Sequence, residues 1–564
     1  MNGGLLLLVS LGVFAGGYFL YSRFLARLLG VDAERKTPAE RINDGVDYVP
    51  AHPVVLFGHH FAAIAGAGPI VGPVLAAEFG WASVALWVVL GCVFMGAAHD
   101  MIALFLSVRN EGKSIGTVIG TVIGAPAKTL FLMFSWSVLV LVVAEFTRQI
   151  AGTFVKDPAI ATSSMLFILE AIVFGVAVYR FRLSVLVGTL IFVPLMFVCV
   201  WIGELYPLDL TAWGLSVEGA RVVWIAVMLV YCFFASAAPV WVLLQPRGYL
   251  SSYLLYVMMA LGVLGVAVAH PVLNLPAFSG FAVTHASGAV HYLFPLLFVL
   301  VSCGACSGTH AVIASGTTSK QLDNERSIRP VAYGGMLLEG VLAIVAVVAV
   351  AGSFANQGEY LAAAASKEPA QLFAGAIAGF CKGLGIPVRF SEGFILLSVS
   401  AFLMTTVDAC ARLGRFTWQE LLVREVKAVK EPYRATFGAR VVGFLGDKTV
   451  GTVIVIAVAA ELLLGNPQAS KSLWTILMSA NQLIAALTFL TATMWFVRQR
   501  KPCLLTFVPM VFMMVVSSWA LWMIFRFSFA AGDWIRITAT GFLLVLAVVL
   551  VALGANRLMR RESE

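Results

Sequence analysis

Gly58-His59-His60-Phe61-Ala62-Ala63-Ile64-Ala65-Gly66-Ala67-Gly68-Pro69-Ile70-Val71-Gly72-Pro73 decides the fold of this 564-residue chain. The stretch lies in an apolar run long enough to cross a bilayer, yet glycine and proline interrupt it near mid-length. Glycine permits turns that other residues resist, and Pro69 and Pro73 have no N–H to donate. A helix broken inside hydrocarbon exposes N–H and C=O groups that lipid cannot satisfy. Such breaks persist around a polar cavity, typically a substrate or ion site. The half-helix that resumes after the break presents N–H groups and a positive dipole end, which suits a carboxylate. A second interruption is read at Phe234-Ala235-Ser236-Ala237-Ala238-Pro239. Backbone recognition of a substrate is therefore assigned to Ala65, Gly66, Ala67 and Gly68, with Ser236 and Ala237 on the opposing span.

Composition extends this reading to the whole chain. Apolar residues make up 60% of it, charged residues only 12%, and mean hydropathy is +0.95. A soluble domain carries about 25% charged residues, so the solvent here is largely lipid. Fifteen apolar runs are long enough to span, at about 3–29, 54–79, 82–108, 127–153, 160–179, 182–204, 219–244, 249–270, 291–316, 330–353, 389–411, 449–465, 473–498, 503–527 and 535–556. The expected fold is an all-α polytopic membrane bundle.

With the N-terminus outside and the C-terminus cytoplasmic, 28 of the 37 basic residues fall on the inner side. That asymmetry is the positive-inside rule, so the net charge of +8 orients the chain and calls for no nucleic-acid partner. Met1 to Leu29 lacks a basic n-region and a small-residue cleavage site, and reads as a span rather than a signal peptide. Eight cysteines are scattered. Cys303-Gly304-Ala305-Cys306 is formally C-x-x-C, but it has no second pair and reads as buried apolar packing rather than a metal or redox site.

The two interruptions are five spans apart and face opposite membrane directions. That is the pattern of two inverted five-helix repeats, 54–204 and 219–411, forming a LeuT-like transport core over 54–411. Residues 1–30 would be a peripheral span, 412–448 a basic cytoplasmic loop and 449–564 a four-helix extension. The competing reading of each break is close helix packing through small residues.

Asp100, Glu145, Glu170, Glu339 and Asp408 lie in apolar runs, where a charge costs about 2.5 kcal/mol or more at the helix centre. Glu145 with Arg148, and Asp408 with Arg412, have the spacing of local ion pairs. Glu170 has no nearby cation in sequence. His59 and His60, near the cytoplasmic end of 54–79, and Asp100, at similar depth on the next span, form a candidate proton-binding set. The equal alternative is structural hydrogen bonding between those helices. His99 is expected to face elsewhere, His310 to satisfy a backbone carbonyl, and Asn481 and Gln482 to join helices.

Several segments resemble the carbon starvation protein A (CstA) family of bacterial inner-membrane transporters. They are Asp44-Gly45-Val46-Asp47-Tyr48-Val49-Pro50 leading into the 58–73 stretch, Pro239-Val240-Trp241 with Gln245-Pro246-Arg247, and Cys303 to His310. Ala314 to Thr318, Gly334 to Gly340, Thr405 to Asp408 with Arg412 to Arg415, and Ala480 to Leu483 continue the match. Gly248, Cys410 and Met478-Ser479 depart from the usual residues. The resemblance covers about residues 38 to 500. It implies uptake of peptides or pyruvate by secondary transport during nutrient limitation, with H⁺ or Na⁺ as coupling ion and no cofactor. By analogy with the LeuT type, Ser315, Thr317 and Thr318 would lend hydroxyls to a Na⁺-like site or a proton-driven relic of one. The alternative is that they cap their own helix.

The partners expected are thus a small molecule and the lipid bilayer. A membrane sensor or signalling subunit is the rival reading, opposed by the shortness of the loops. No H-E-x-x-H, G-x-S-x-G or phosphate-loop pattern points to an enzyme.

Overall fold

A computed structural model describes residues 1–44, 48–238, 242–286, 288–422, 441, 443–465 and 473–562. Part of the basic loop, 423–440, and Pro239 of the second expected interruption lie outside the described residues. Twelve helices among the described residues are long and apolar enough to cross a membrane, or 13 if the bent pair Pro53–Ile64 and Gly68–Phe79 is one span. Two further runs account for the remaining difference from 15. Residues 293–316 fold as three short helices, and Lys448–Leu464 has 17 residues. The protein is an all-α polytopic bundle.

Its contacts form two units, each built from three segments. Unit 1 comprises Met1–Val118, Ser251–Phe402 and Met478–Ile524. Helix Glu325–Ser353 forms its centre; beyond Glu339 it is apolar on every face, and Ala343 to Ala351 are essentially inaccessible. A helix hydrophobic all round belongs in a core. The N-terminal span packs on it closely: a Cβ at Gly340 would lie 2.9 Å from the Phe14 ring. Residues 354–387, between two of the expected spans, contain helices Gln357–Ser366 and Pro369–Cys381. Tyr360 anchors this pair by donating to the Val74 carbonyl at 2.6 Å.

Unit 2 comprises Ile119–Leu250, Leu403–Leu477 and Phe525–Glu564. Its longest complete helix, Ala125–Lys156, holds the expected local ion pair, with Arg148 donating to both oxygens of Glu145 at 2.8 and 2.9 Å. Glu170 faces the next helix, where the Cys199 thiol donates to it at 3.5 Å. The expected Asp408–Arg412 pair does not form. Asp408 instead meets Arg247 at 2.8 Å and accepts from Tyr231 at 2.8 Å, because the buried carboxylate finds a fully buried guanidinium on another helix.

Arg412 serves a different purpose. Helix Val217–Ala237 is continuous, so Ser236 and Ala237 sit in its last turn and not at a mid-span break. Ala238 precedes Pro239 and is extended (φ −65°, ψ 153°), the ordinary way a proline stops a helix. The carbonyls left open at that end are taken by cations: Arg412 donates to Ala235 and Ala238, Arg415 to Ser236 and Lys448 to Ala237. Positive groups at a helix C-terminus are favoured by its dipole. The small residues there end a helix; they do not interrupt one.

Candidate functional site

The first interruption forms where the sequence places it. Helix Pro53–Ile64 ends, Ala65 leaves helical geometry (φ −74°, ψ 60°), and a second helix starts at Gly68 with Pro69 in its first turn. Pro suits that position because the first-turn N–H has no partner within the helix. Ala65, Ala67 and Gly68 are buried, and the half-helix from Gly68 has no side-chain cap.

Within unit 1 the segment facing it is 301–307. Val301 (φ −93°, ψ 18°) and Cys306 (φ −164°, ψ 113°) interrupt what would otherwise be one span over 293–316. The two segments leave no room for a side chain between them. A Cβ on Gly68 would lie 2.4 Å from Cys303 Cβ and Sγ, and one on Gly72 would lie 2.3 Å from the Leu300 carbonyl oxygen. His60 Nδ1 is 2.8 Å from Thr318 Oγ1. The pairs 60–318, 68–303 and 72–300 run in opposite senses, so the two broken helices are antiparallel and meet break to break. A second broken helix thus faces the first, but it is the ninth expected run and not the seventh.

Polar side chains serve the second break from a distant helix. Asn481 Oδ1 accepts from the Thr309 N–H at 2.8 Å, and its Nδ2 donates to Ser307 Oγ at 3.1 Å. This caps the half-helix Gly308–Gly316, whose own N-cap residue, Ser307, makes no capping bond. Gly308 is required by the approach, since a Cβ would lie 2.2 Å from the Asn481 carbonyl. Gln482 donates to the Phe298 carbonyl at 3.2 Å.

Beside the breaks lies a buried set of four ionisable side chains. Asp100 receives His99 Nδ1 on Oδ1 and His310 Nδ1 on Oδ2, each at 2.8 Å. His310 Nε2 lies 3.3 Å from Glu339 Oε2. All four residues are at most 1% exposed. Neither Glu339 oxygen has a hydrogen-bond partner among the described residues.

Asp100 thus pairs with His99 and His310, not with His59 or His60, and His310 does more than satisfy a carbonyl. The cause is local. Helix Trp81–Arg109 contains a π turn at Cys92–Gly96, just before His99 and Asp100. The extra residue of a π turn rotates the rest of its helix by about 100°. A second π turn, Arg329–Gly334, precedes Glu339 in the same way. The two turns hold each other: Tyr333 donates to the Val93 carbonyl at 3.0 Å, and Cys92 Sγ to the Met336 carbonyl at 3.2 Å.

Of the hydroxyls at the end of 293–316, Ser315 donates to the Ala311 carbonyl and accepts from the Ile115 N–H, while Thr317 donates to Ile313. Only Thr318, through His60, joins the first broken helix. Within unit 1 the structure brings together Ala65 to Gly68, Cys303, His60 with Thr318, and the Asp100 set. Ser236 and Ala237 belong to unit 2. Sequence reasoning missed Cys303 to Ser307 as a break, although Ser302, Gly304, Ser307 and Gly308 mark the middle of that run.

The family model described as "Carbon starvation protein CstA" matches residues 2–366 and 353–520. The chain is 31% identical to the protein named "Peptide transporter CstA" of Mycobacterium tuberculosis, covering 92% of this chain and 75% of that one. It is 29% identical to the "Pyruvate/proton symporter BtsT" of Escherichia coli (92% and 81% covered) and 28% identical to the "Peptide transporter CstA" of Bacillus subtilis (98% and 95%). A solved structure, MhsT in complex with L-phenylalanine, aligns with 83% of this chain and 98% of its own, at TM-score 0.47 and 12% identity.

Proposed function

This chain belongs to the carbon starvation protein CstA family, and we propose that it imports small carboxylate-bearing nutrients, peptides or pyruvate, by proton symport when carbon is scarce. It is a multi-pass membrane transporter of small molecules and not an enzyme. The finer reading has the chain in a bacterial inner membrane, N-terminus outside, with the substrate carboxylate drawn to the half-helix that starts at Gly68.

One observation carries the choice of proton over sodium: His310 presents both ring nitrogens to carboxylates, Asp100 at 2.8 Å and Glu339 at 3.3 Å. A neutral imidazole has one N–H and one lone pair, so one of these faces would set a lone pair against a carboxylate oxygen. The protonated ring donates to Asp100 and sets its positive charge 3.3 Å from Glu339. If the proton leaves, either Glu339 takes it or the helices carrying 310 and 339 part. Loss and gain of one proton therefore changes a contact between the second broken helix and the core helix Glu325–Ser353.

The test is uptake into proteoliposomes of dipeptides and of pyruvate, under an imposed proton gradient or an imposed sodium gradient. Accumulation driven by the proton gradient and abolished by a protonophore is the expected result. Accumulation driven by sodium at uniform pH, or equilibration without any gradient dependence, would refute it.

A further inference from the structure

Outside the breaks, a cluster of three ionisable side chains among the described residues has no role so far. Glu78 lies in the short turn Ala77–Phe79 that ends the first broken helix and is 4% exposed. Above it stands a small hairpin, Ala282–Thr284 paired antiparallel with Val290–Tyr292, which runs directly into the second broken helix at Leu293. His291 pairs across the hairpin with Val283, and alternation puts Val283 and His285 on that same face. Both imidazoles therefore turn to Glu78. His285 Nε2 is 2.8 Å from Glu78 Oε2, His291 Nδ1 is 3.0 Å from Oε1, and the two ring nitrogens are 3.0 Å apart.

Hydrogen bonds alone use this triangle poorly. If each ring donates to the carboxylate, two N–H groups confront one another at 3.0 Å. If one ring accepts from the other, that nitrogen carries no proton to donate to Glu78. A single cation at the centre uses all three lone pairs at once. We propose that Glu78, His285 and His291 form a binding site for a divalent transition metal, with Zn²⁺ the closest fit, which fastens the hairpin to the end of the first broken helix.

Two histidines and a glutamate are a familiar zinc donor set, and Zn–N and Zn–O bonds of about 2.0–2.2 Å put tetrahedral donors about 3.3–3.5 Å apart. The triangle needs to open by only a few tenths of an ångström. His285 and His291 are 25% and 40% exposed at the side chain, which leaves a solvent-facing position for a fourth ligand. Soft donors are absent from the set, yet two imidazoles disfavour Mg²⁺ and Ca²⁺, which take oxygen. Because the hairpin leads into the second broken helix, a bound ion would tie the ends of both broken helices together on the side where Glu78 lies.

The test uses the full-length protein, without a polyhistidine tag, in detergent micelles at pH 7.5. Isothermal titration with ZnCl₂, metal analysis after desalting, and thermal unfolding with Zn²⁺ or Mg²⁺ are compared between wild type, His285→Gln/His291→Gln and Glu78→Gln. The expected result is one Zn²⁺ per chain, an unfolding midpoint raised by Zn²⁺ and not by Mg²⁺, and at least about tenfold weaker binding in either variant. Should the double variant fail to fold, His291→Gln alone, at the more exposed ring, gives the same comparison. Absence of stoichiometric Zn²⁺ in wild type, or equal binding by a folded variant, overturns the proposal.

Discussion

Gly68→Ala is the smallest change that tests whether the two breaks meet as described. The new Cβ would sit 2.4 Å from both Cys303 Cβ and Sγ. Carbon atoms in good contact stand about 3.5–4.0 Å apart, so the half-helices must separate by about 1 Å or distort. Overpacking of this kind costs about 1–3 kcal/mol. Removing the obstacle should restore much of that loss. In Cys303→Gly the nearest remaining atom is Cys303 Cα, 3.9 Å from the new methyl and in ordinary contact.

Cys303→Gly has its own penalty of about 1 kcal/mol, since glycine loses more conformational freedom on folding. The informative quantity is the cycle. Gly68→Ala and Cys303→Gly should each destabilise, and the double variant should be more stable than their sum by about 1–3 kcal/mol. Unfolding in detergent, followed by tryptophan fluorescence, measures stability, and proteoliposome uptake measures function. Uptake should fall in Gly68→Ala and recover in part in the double variant. A Gly68→Ala protein of unchanged stability and uptake, or a cycle that closes within about 0.5 kcal/mol, would refute the contact.

Three other expectations rest on the same geometry. Glu339→Gln should reduce proton-driven uptake at least about tenfold and flatten its dependence on external pH, while substrate exchange at equal pH on both sides persists; an unchanged pH profile would remove Glu339 from coupling. Asp408→Asn leaves the buried Arg247 without its counter-charge and should destabilise by about 3–5 kcal/mol, seen as a lower unfolding midpoint in detergent. Asn481→Leu removes the cap on Gly308–Gly316 and should cost about 0.5–2 kcal/mol, with uptake falling more steeply than stability because the cap sits at the break.

Spans were legible in the sequence because lipid imposes a length and a hydropathy that any ordering of residues reveals. The first break was legible for an equally local reason: Gly66, Gly68, Pro69 and Pro73 act on the backbone that carries them. The second was not. Its polar backbone is relieved by Asn481, more than 170 residues away, so the run 301–307 needs no proline to stay open. Proline misled at 239 for a complementary reason, since it marks a helix end as readily as an interruption. What decided between these was the ring of Arg412, Arg415 and Lys448 on the carbonyls of 235–238, again supplied from far along the chain.

The ionisable cluster shows where counting along a regular helix fails. Depth along neighbouring spans set Asp100 beside His59 and His60, but depth does not give the direction in which a side chain points, which turns by about 100° per residue. One extra residue in the Cys92–Gly96 turn moves it by about 100°, and the Arg329–Gly334 turn does the same for Glu339. Neither rotation is useful alone, because a buried carboxylate turned away from its partner costs several kilocalories per mole. Together they bring Asp100 and Glu339 to opposite nitrogens of one imidazole. The turns are also bonded to each other through Tyr333 and Cys92, so relaxing either into regular helix would remove a hydrogen bond from the other. The register of two helices and the pairing of His310 are therefore a single structural choice. A change that straightens one turn should displace both carboxylates from the ring.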